Sequence, residues 1–304
     1  MTREIAENTR RAYAADWAAF ARWCRLTGVN ALPPTPDIVA AYLSSLGTGT
    51  AQQPPLSPTS VERRLAGLLW SCDQRGTPLD RTHPAIRAAL ASVRQRAFTP
   101  DRKAPLTAQD IRAMNALLPY DLRGLRDRAM LLLGFAAGLG RSELVGLDLG
   151  QPASGDGGWL DLCRDGARLT LPAAQGWSRI DVGRGSADRT CPVHAVSQWV
   201  SFAGIARGPL FVRITRDGTG ILDERLSDRH VARLVKRLAE DAGLRPDLDP
   251  AERRTVFSGQ SLRTGLAASL GLDAITALRR RISSPEDEDP MTGVSLNLTR
   301  AVGL

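Results

Sequence analysis

Between residues 8 and 28 the apolar side chains of Tyr13, Trp17, Phe20 and Cys24 return every three or four positions, the period of one buried helical face, and Gly28 supplies a stop. Thr35 followed by Pro36 offers a cap and a first helical position to a second helix, whose stripe is Val39, Tyr42, Leu43 and Leu46. Residues 47–58, GTGTAQQPPLSP, read as a loop. Thr59 and Glu62 have the spacing of a capping box for a third helix with Leu65, Leu68 and Leu69 inward, and a fourth, beginning near Pro84, buries Ile86, Leu90 and Val93. Arg63 and Arg64 fall on the polar side of the third helix; Arg87, Arg94 and Arg96 fall on that of the fourth.

Residues 96–105, RAFTPDRKAP, interrupt this periodicity with two prolines and three basic residues. The break places one domain over 1–98, a short basic linker over 99–105 and a second domain over 106–304. Thr107 and Asp110 open the next helix, a long apolar one covers roughly 122–138, and another starts near Arg141. The period then changes: residues 159–162, 168–171 and 179–182 are short runs separated by glycine-containing turns, which predicts a small antiparallel sheet. Helices resume at CPVHAVSQWVSFAG, at a segment capped by Ser227 with Val231, Leu234, Val235 and Leu238 inward, and over 261–282. There is no internal repeat. The expected class is mainly α with a small antiparallel β-sheet.

Composition narrows the function. Hydrophobic residues make up 43% and charged residues 24% of the 304 positions, a globular balance, and no apolar run approaches the ~18 residues of a membrane span. The opening MTREIAENTRRAY is polar where an export signal would be apolar, so a cytoplasmic protein with no membrane partner is expected. Basic residues number 40 against 32 acidic ones, a net charge of +8, and only Lys103 and Lys236 are lysines. Arginine's fork of donors suits phosphate oxygens, which favours a nucleic-acid partner, although GC-rich coding also produces arginine in place of lysine. Residues 1–100 hold 12 arginines against 7 acids, so the first domain is the expected primary grip. Cys24, Cys72, Cys163 and Cys191 lie too far apart for a metal-binding pair, and His83, His194 and His230 show no ligand spacing beside them. Reduced thiols, no metal and no cofactor are expected, and no phosphate-cradling glycine motif points to nucleotide hydrolysis.

The order of these pieces resembles the tyrosine recombinase or phage integrase family over nearly the whole chain. NTRRAYAADWAAFARWC is similar to the opening helix of that family's N-terminal core-binding domain, and RKAPLT to its interdomain linker. GLGRSELVGLDL resembles the motif around the first catalytic arginine, CPVHAVSQWV the helix after the sheet, and LSDRHVARLVKRLAEDAGL the helix before the second motif. FSGQSLRTGLAAS resembles the second motif, where a histidine is followed three residues later by arginine. The resemblance implies a two-domain architecture, a helical DNA-binding domain followed by an α+β catalytic-like domain. It also implies double-stranded DNA as partner, and a homo-oligomer on DNA or a catalytically competent recombinase as the companion. In active members a tyrosine attacks the scissile phosphate, two arginines neutralise the transition state, and a hairpin lysine and a histidine handle protons without metal.

Carried onto this chain, those roles are mostly missing. Gly140 stands where the first arginine belongs, with Arg141 one place later, a step of about 100° around a helix. The hairpin lysine position falls near Pro172 or Ala173, and Gln260 replaces the histidine while Arg263 remains. The tyrosines are Tyr13, Tyr42 and Tyr120, with none after residue 120, and the acidic, proline-bounded PEDEDP lies where a late helix would carry the nucleophile.

The sequence leaves alternatives open at each position. Arg263 is a retained phosphate ligand or a surface arginine, Arg141 a shifted substitute or a salt-bridge residue, and Gln260 a polar surface residue or a donor. Arg63, Arg64, Arg87 and Arg94 are DNA contacts or a solvated basic face; Arg102 and Lys103 are backbone contacts or solvated linker charges. Three functions remain. One is a catalytically inactive DNA-binding protein with an architectural or regulatory role in recombination or genome maintenance. The second is an active site-specific recombinase with a non-standard nucleophile such as Ser283, Ser284, Ser295 or Thr299. The third is a decayed mobile-element remnant.

Overall fold

Local capping chemistry sets where the helices of the first unit begin. Helix α1 (Glu7–Thr27) packs on α3 (Pro58–Asp73), and α2 (Pro36–Thr48) on α4 (Pro84–Gln95). Thr35 caps α2, its hydroxyl accepting from the Ile38 amide at 3.3 Å. The third helix starts at Ser57–Pro58 and not at Thr59: the Ser57 hydroxyl accepts from the Ser60 amide at 3.1 Å, while Glu62 is turned to Arg94. The α1 stripe of Phe20 and Cys24 meets Val39, Tyr42 and Leu43 from α2, Val61, Leu65 and Leu68 from α3, and Ile86, Leu90 and Val93 from α4 in one buried core. At the α1–α3 crossing a Cβ on Gly67 would lie 2.6 Å from Asp16 Oδ2 and 3.0 Å from Tyr13, so only glycine permits this approach.

This computed structural model describes residues 7–50, 53–96, 103–153, 157–173, 176–271, 279–282, 299 and 303–304. The chain divides into two compact units, Met1–Asp101 and Arg102–Leu304.

In the second unit Thr107 and Asp110 cap α5 (Ala108–Ala116) reciprocally, the hydroxyl accepting from the Asp110 amide at 3.1 Å and the carboxylate from the Thr107 amide at 2.8 Å. Helix α6 (Leu122–Ala136) is buried along most of its length, with an apolar second half over residues 129–136 and the buried charges of Arg126, Asp127 and Arg128 in its first half. After α7 (Arg141–Gly146) come β1 (Asp148–Leu149), β2 (Trp159–Leu162), β3 (Gly166–Pro172) and β4 (Trp177–Gly183), then α8 (Pro192–Ala203), which packs on α6. The remaining elements are β5 (Gly208–Pro209), the β6 (Val212–Ile214) and β7 (Ile221–Arg225) hairpin, α9 (Asp228–Asp241), α10 (Pro250–Val256), α11 (Gln260–Leu270) and β8 (Arg280–Ile282).

The main sheet runs β5-β1-β2-β3-β4-β8. The three strands expected from the sequence pair antiparallel as its centre, but β1 joins β2 in parallel, so the sheet is mixed. The helix expected over 261–282 also departs from the pattern. It ends at Leu270 with Gly271 at φ 86°, and residues 280–282 return as the edge strand β8, Arg280 opposite Arg179 and Ile282 opposite Trp177. Cys24, Cys72 and Cys191 are buried, and all four cysteines are free thiols. Among the described residues no helix is long and apolar enough to cross a membrane.

Candidate functional site

The arginines of the first unit divide by partner. Arg63 on α3 is held in a bidentate ion pair by Asp16 on α1, Nη1 and Nη2 donating to the two carboxylate oxygens at 2.6 and 2.8 Å; Asp16 is buried and Arg63 half-exposed. Arg64 donates to the Tyr42 hydroxyl at 3.2 Å, and Arg94 holds Glu62 at 2.6 Å. Arg87 is exposed and makes no ion pair among the described residues. It lines an open groove of about 610 Å³ along α4 with Arg81 and with Arg94, whose guanidinium is already paired with Glu62. Arg102 lies outside the described residues. Lys103 donates to the Thr255 carbonyl at 2.7 Å, and the Ala104 amide to that of Val256 at 3.0 Å, so this stretch is laid against the end of α10.

In the second unit the two segments that resemble the family's arginine motifs meet. The loop 138–140 and the first turn of α7 bring up Glu143, whose carboxylate accepts from the Gly140 amide at 2.6 Å, closing the α7 cap. The same carboxylate receives Arg263 of α11, Nη1 to Oε2 at 3.4 Å. It also receives Arg279, Nη1 to Oε1 at 2.8 Å and Nη2 to Oε2 at 3.0 Å. Arg279 Nη2 donates further to the Gly138 carbonyl at 3.2 Å. Burial alone would raise the Glu143 carboxyl, but Arg279, the Gly140 amide and Arg263 together outweigh it and hold the group below its usual value.

Arg141 is half-exposed and pairs at 3.7 Å with Asp228, the first residue of α9. Its stem passes over Gly259, where an added Cβ would sit 2.3 Å from Arg141 Cγ. The shifted arginine therefore still lies beside the start of α11, where Gln260 is exposed. On the hairpin, Pro172 ends β3 and the Ala173 amide donates to Gly176 across the turn at 3.0 Å, so neither residue offers a cation.

Arg279 was not singled out by sequence reasoning, because nothing local marks it. Its position follows from β8, whose pairing with β4 carries the chain back to the turn at 138–143. A second charged cluster sits elsewhere in the unit. Buried Asp127 on α6 accepts from Arg126 at 2.8 Å and Arg237 at 3.2 Å, with His230 at 3.6 Å, beside a cavity of about 500 Å³.

Tyr120 is the only tyrosine of the second unit, 69% exposed just before α6. Its ring lies on the Arg128 guanidinium, 4.4 Å from centroid to Cζ, and a hydrogen bond from Arg189 followed by the charges of Arg128 and Arg189 lowers its pKa. It stands at the opposite end of the 15-residue α6 from the Gly138–Glu143 turn, about 22 Å away at 1.5 Å per residue. Ser283, Ser284 and Ser295 lie outside the described residues, and Thr299 is buried.

No protein-family model matches the chain. It is 31% identical over 289 residues to an integrase/recombinase XerD homolog of Selenomonas ruminantium, covering 90% of this chain and 78% of that protein. It is 26% identical over 280 residues to tyrosine recombinase XerD of Ralstonia nicotianae, covering 86% and 77%. Among solved structures, the XerH site-specific recombinase bound to a palindromic difH substrate, a post-cleavage complex, aligns at a TM-score of 0.53 and 13% identity, covering 97% of this chain and 75% of that one. The fold is thus that of site-specific recombinases. On the relationship to the Selenomonas protein, the chain belongs to the tyrosine recombinase family.

Proposed function

We propose that this chain binds double-stranded DNA and grips a backbone phosphate in its second unit without cleaving it, acting as an architectural or regulatory member of its family in DNA recombination. The observation that carries this is the separation within α6: Tyr120 stands at one end, while Glu143 gathers Arg263 and Arg279 beyond the other. Two guanidinium groups on one carboxylate leave a positive centre suited to a phosphodiester. The phenol is too far along the helix to attack there, and residues 121–304 contain no other.

The missing proton carriers support the same reading. Gln260 donates hydrogen bonds but does not shuttle protons at neutral pH, and Pro172 and Ala173 occupy the hairpin position of the lysine. A serine or threonine hydroxyl, with its pKa far above that of a phenol, would need a general base, and no histidine follows His230. On the binding side, the net charge of +8 and the Arg81, Arg87 and Arg94 groove give an electrostatic footprint for duplex DNA. A second copy of this chain or a cleavage-competent recombinase would be the companion on the DNA.

The test has two arms. Binding of the full chain to labelled duplex DNA, followed by anisotropy across a salt series, is expected to weaken steeply as salt rises, because each neutralised phosphate releases counterions. A nicked suicide substrate incubated with the same protein is expected to give no denaturant-stable adduct. Absence of salt-dependent binding would remove the DNA reading, and an adduct lost on changing a residue of this chain would remove the inactive one.

A further inference from the structure

We propose that Arg279 replaces, from a different element, the guanidinium that the family pattern places at residue 140, so that Arg279 and Arg263 together form the phosphate-binding pair of this chain. The inference rests on the phosphate-gripping reading above and deepens it.

The geometry around Gly140 carries it. A Cβ built on Gly140 would point at Glu143 Oε2 from 3.2 Å, so a side chain at 140 would start out alongside that carboxylate. Arg279 already fills this neighbourhood: it bridges both Glu143 oxygens at 2.8 and 3.0 Å and reaches back to the Gly138 carbonyl at 3.2 Å, bracketing residue 140 between its two contacts. Arg263 comes to the same carboxylate from α11 at 3.4 Å. One carboxylate faces two guanidinium groups, leaving one positive charge to be met by an oxyanion.

Two further features suit Arg279 to that task. Its Nε–H is buried with no hydrogen-bond partner among the described residues, leaving a donor whose desolvation nothing else offsets. Its backbone is fixed by the next residue, Arg280, which stands opposite Arg179 in the sheet. A guanidinium oriented in advance by a carboxylate and a carbonyl loses little freedom when a phosphate arrives.

The experiment compares the salt dependence of duplex binding for the full-length wild type, Arg279→Gln, Gly140→Arg and the double variant, each with a thermal melt. Loss of one phosphate contact lowers the slope of log K against log salt by about 0.9. Arg279→Gln is expected to lower the slope by about this amount and the affinity about tenfold, and Gly140→Arg in that background to restore both. Backbone angles at 140, φ −71° and ψ 159°, admit a side chain. Gly140→Arg in the wild-type background provides a reading that does not require Arg279→Gln to fold. It is expected to leave the slope near wild type, because the contact is already made. A slope steeper by about one contact in Gly140→Arg alone, or an unchanged slope in folded Arg279→Gln, would make Arg279 a structural ion pair and overturn the proposal. If the wild type shows no salt-dependent binding, the DNA reading itself fails, before any variant is compared.

Discussion

Asp16 and Arg63 form a bidentate ion pair across the α1–α3 crossing, with the carboxylate buried at 4% exposure and the guanidinium half in solvent. Both oxygens of the acid are taken, so Arg63, one of four arginines expected from the sequence as DNA contacts or a solvated basic face, is engaged in holding two helices together.

Replacing Arg63 by alanine is therefore expected to destabilise the protein, leaving a buried carboxylate without its counterion. The loss should be about 1–2 kcal/mol, between that of an exposed pair and the ~3–5 kcal/mol of a fully buried one, because Arg63 is half-exposed. Arg87→Ala, on the exposed face of α4, is expected to leave the melting temperature unchanged and to weaken duplex binding. Thermal melts and anisotropy on both variants check this; the reverse pattern would return Arg63 to the DNA surface.

The same crossing sets a steric limit. Gly67→Ala would press a methyl group against Asp16 Oδ2 at 2.6 Å, an atom already fixed by Arg63, and against the Tyr13 ring. Overpacking of this kind costs about 1–3 kcal/mol, and urea unfolding should show it as a lower midpoint with an unchanged slope. A neutral result would mean that α1 can shift without penalty.

Acid should act through Glu143. Its folded-state pKa lies below the ordinary 4.5, so its contribution to stability is complete above that value and is lost as pH falls through the lower folded one. Asp127, held low by His230 and Arg126 against the opposing effect of burial, adds to the same acid limb. Glu143→Gln is expected to be less stable than wild type at pH 7 by about 1–3 kcal/mol, with the two curves converging below pH 4. Parallel curves down to pH 2 would show that the carboxylate does not carry this charge network.

What the sequence made legible was local. Thr35 with Pro36, and Thr107 with Asp110, are caps whose donors and acceptors lie within four residues, and both form as their spacing implies. Thr59 with Glu62 has the same spacing and fails, because Ser57–Pro58 two residues earlier offers an equivalent cap and Glu62 is drawn to Arg94, 32 positions away. Strand β8 has no alternation to announce it; Arg280 and Ile282 are extended because β4 offers them an edge. Arg279 was hidden for the same reason, since its role is defined by a carboxylate on another element.

Tyr120 should titrate at lower pH than Tyr42. Arg189 and Arg128 favour its phenolate, lowering its pKa, whereas burial raises that of Tyr42 in the first core. Absorbance at 295 nm during an alkaline titration is expected to show an early component that disappears in Tyr120→Phe and moves to higher pH in Arg189→Ala. An early component surviving Tyr120→Phe would assign it to another residue.

The bond between Glu143 and Arg279 spans 136 residues of chain. During synthesis at roughly 5–20 residues per second, the carboxylate is made roughly 7–27 s before this partner. Through that interval the first unit, with its own core, can already be folded, while Glu143 stands without Arg279. The nascent turn then carries only the opposed charges of Arg141 and Glu143, and the positive excess proposed to hold a phosphate is completed only as the last segment of the chain emerges.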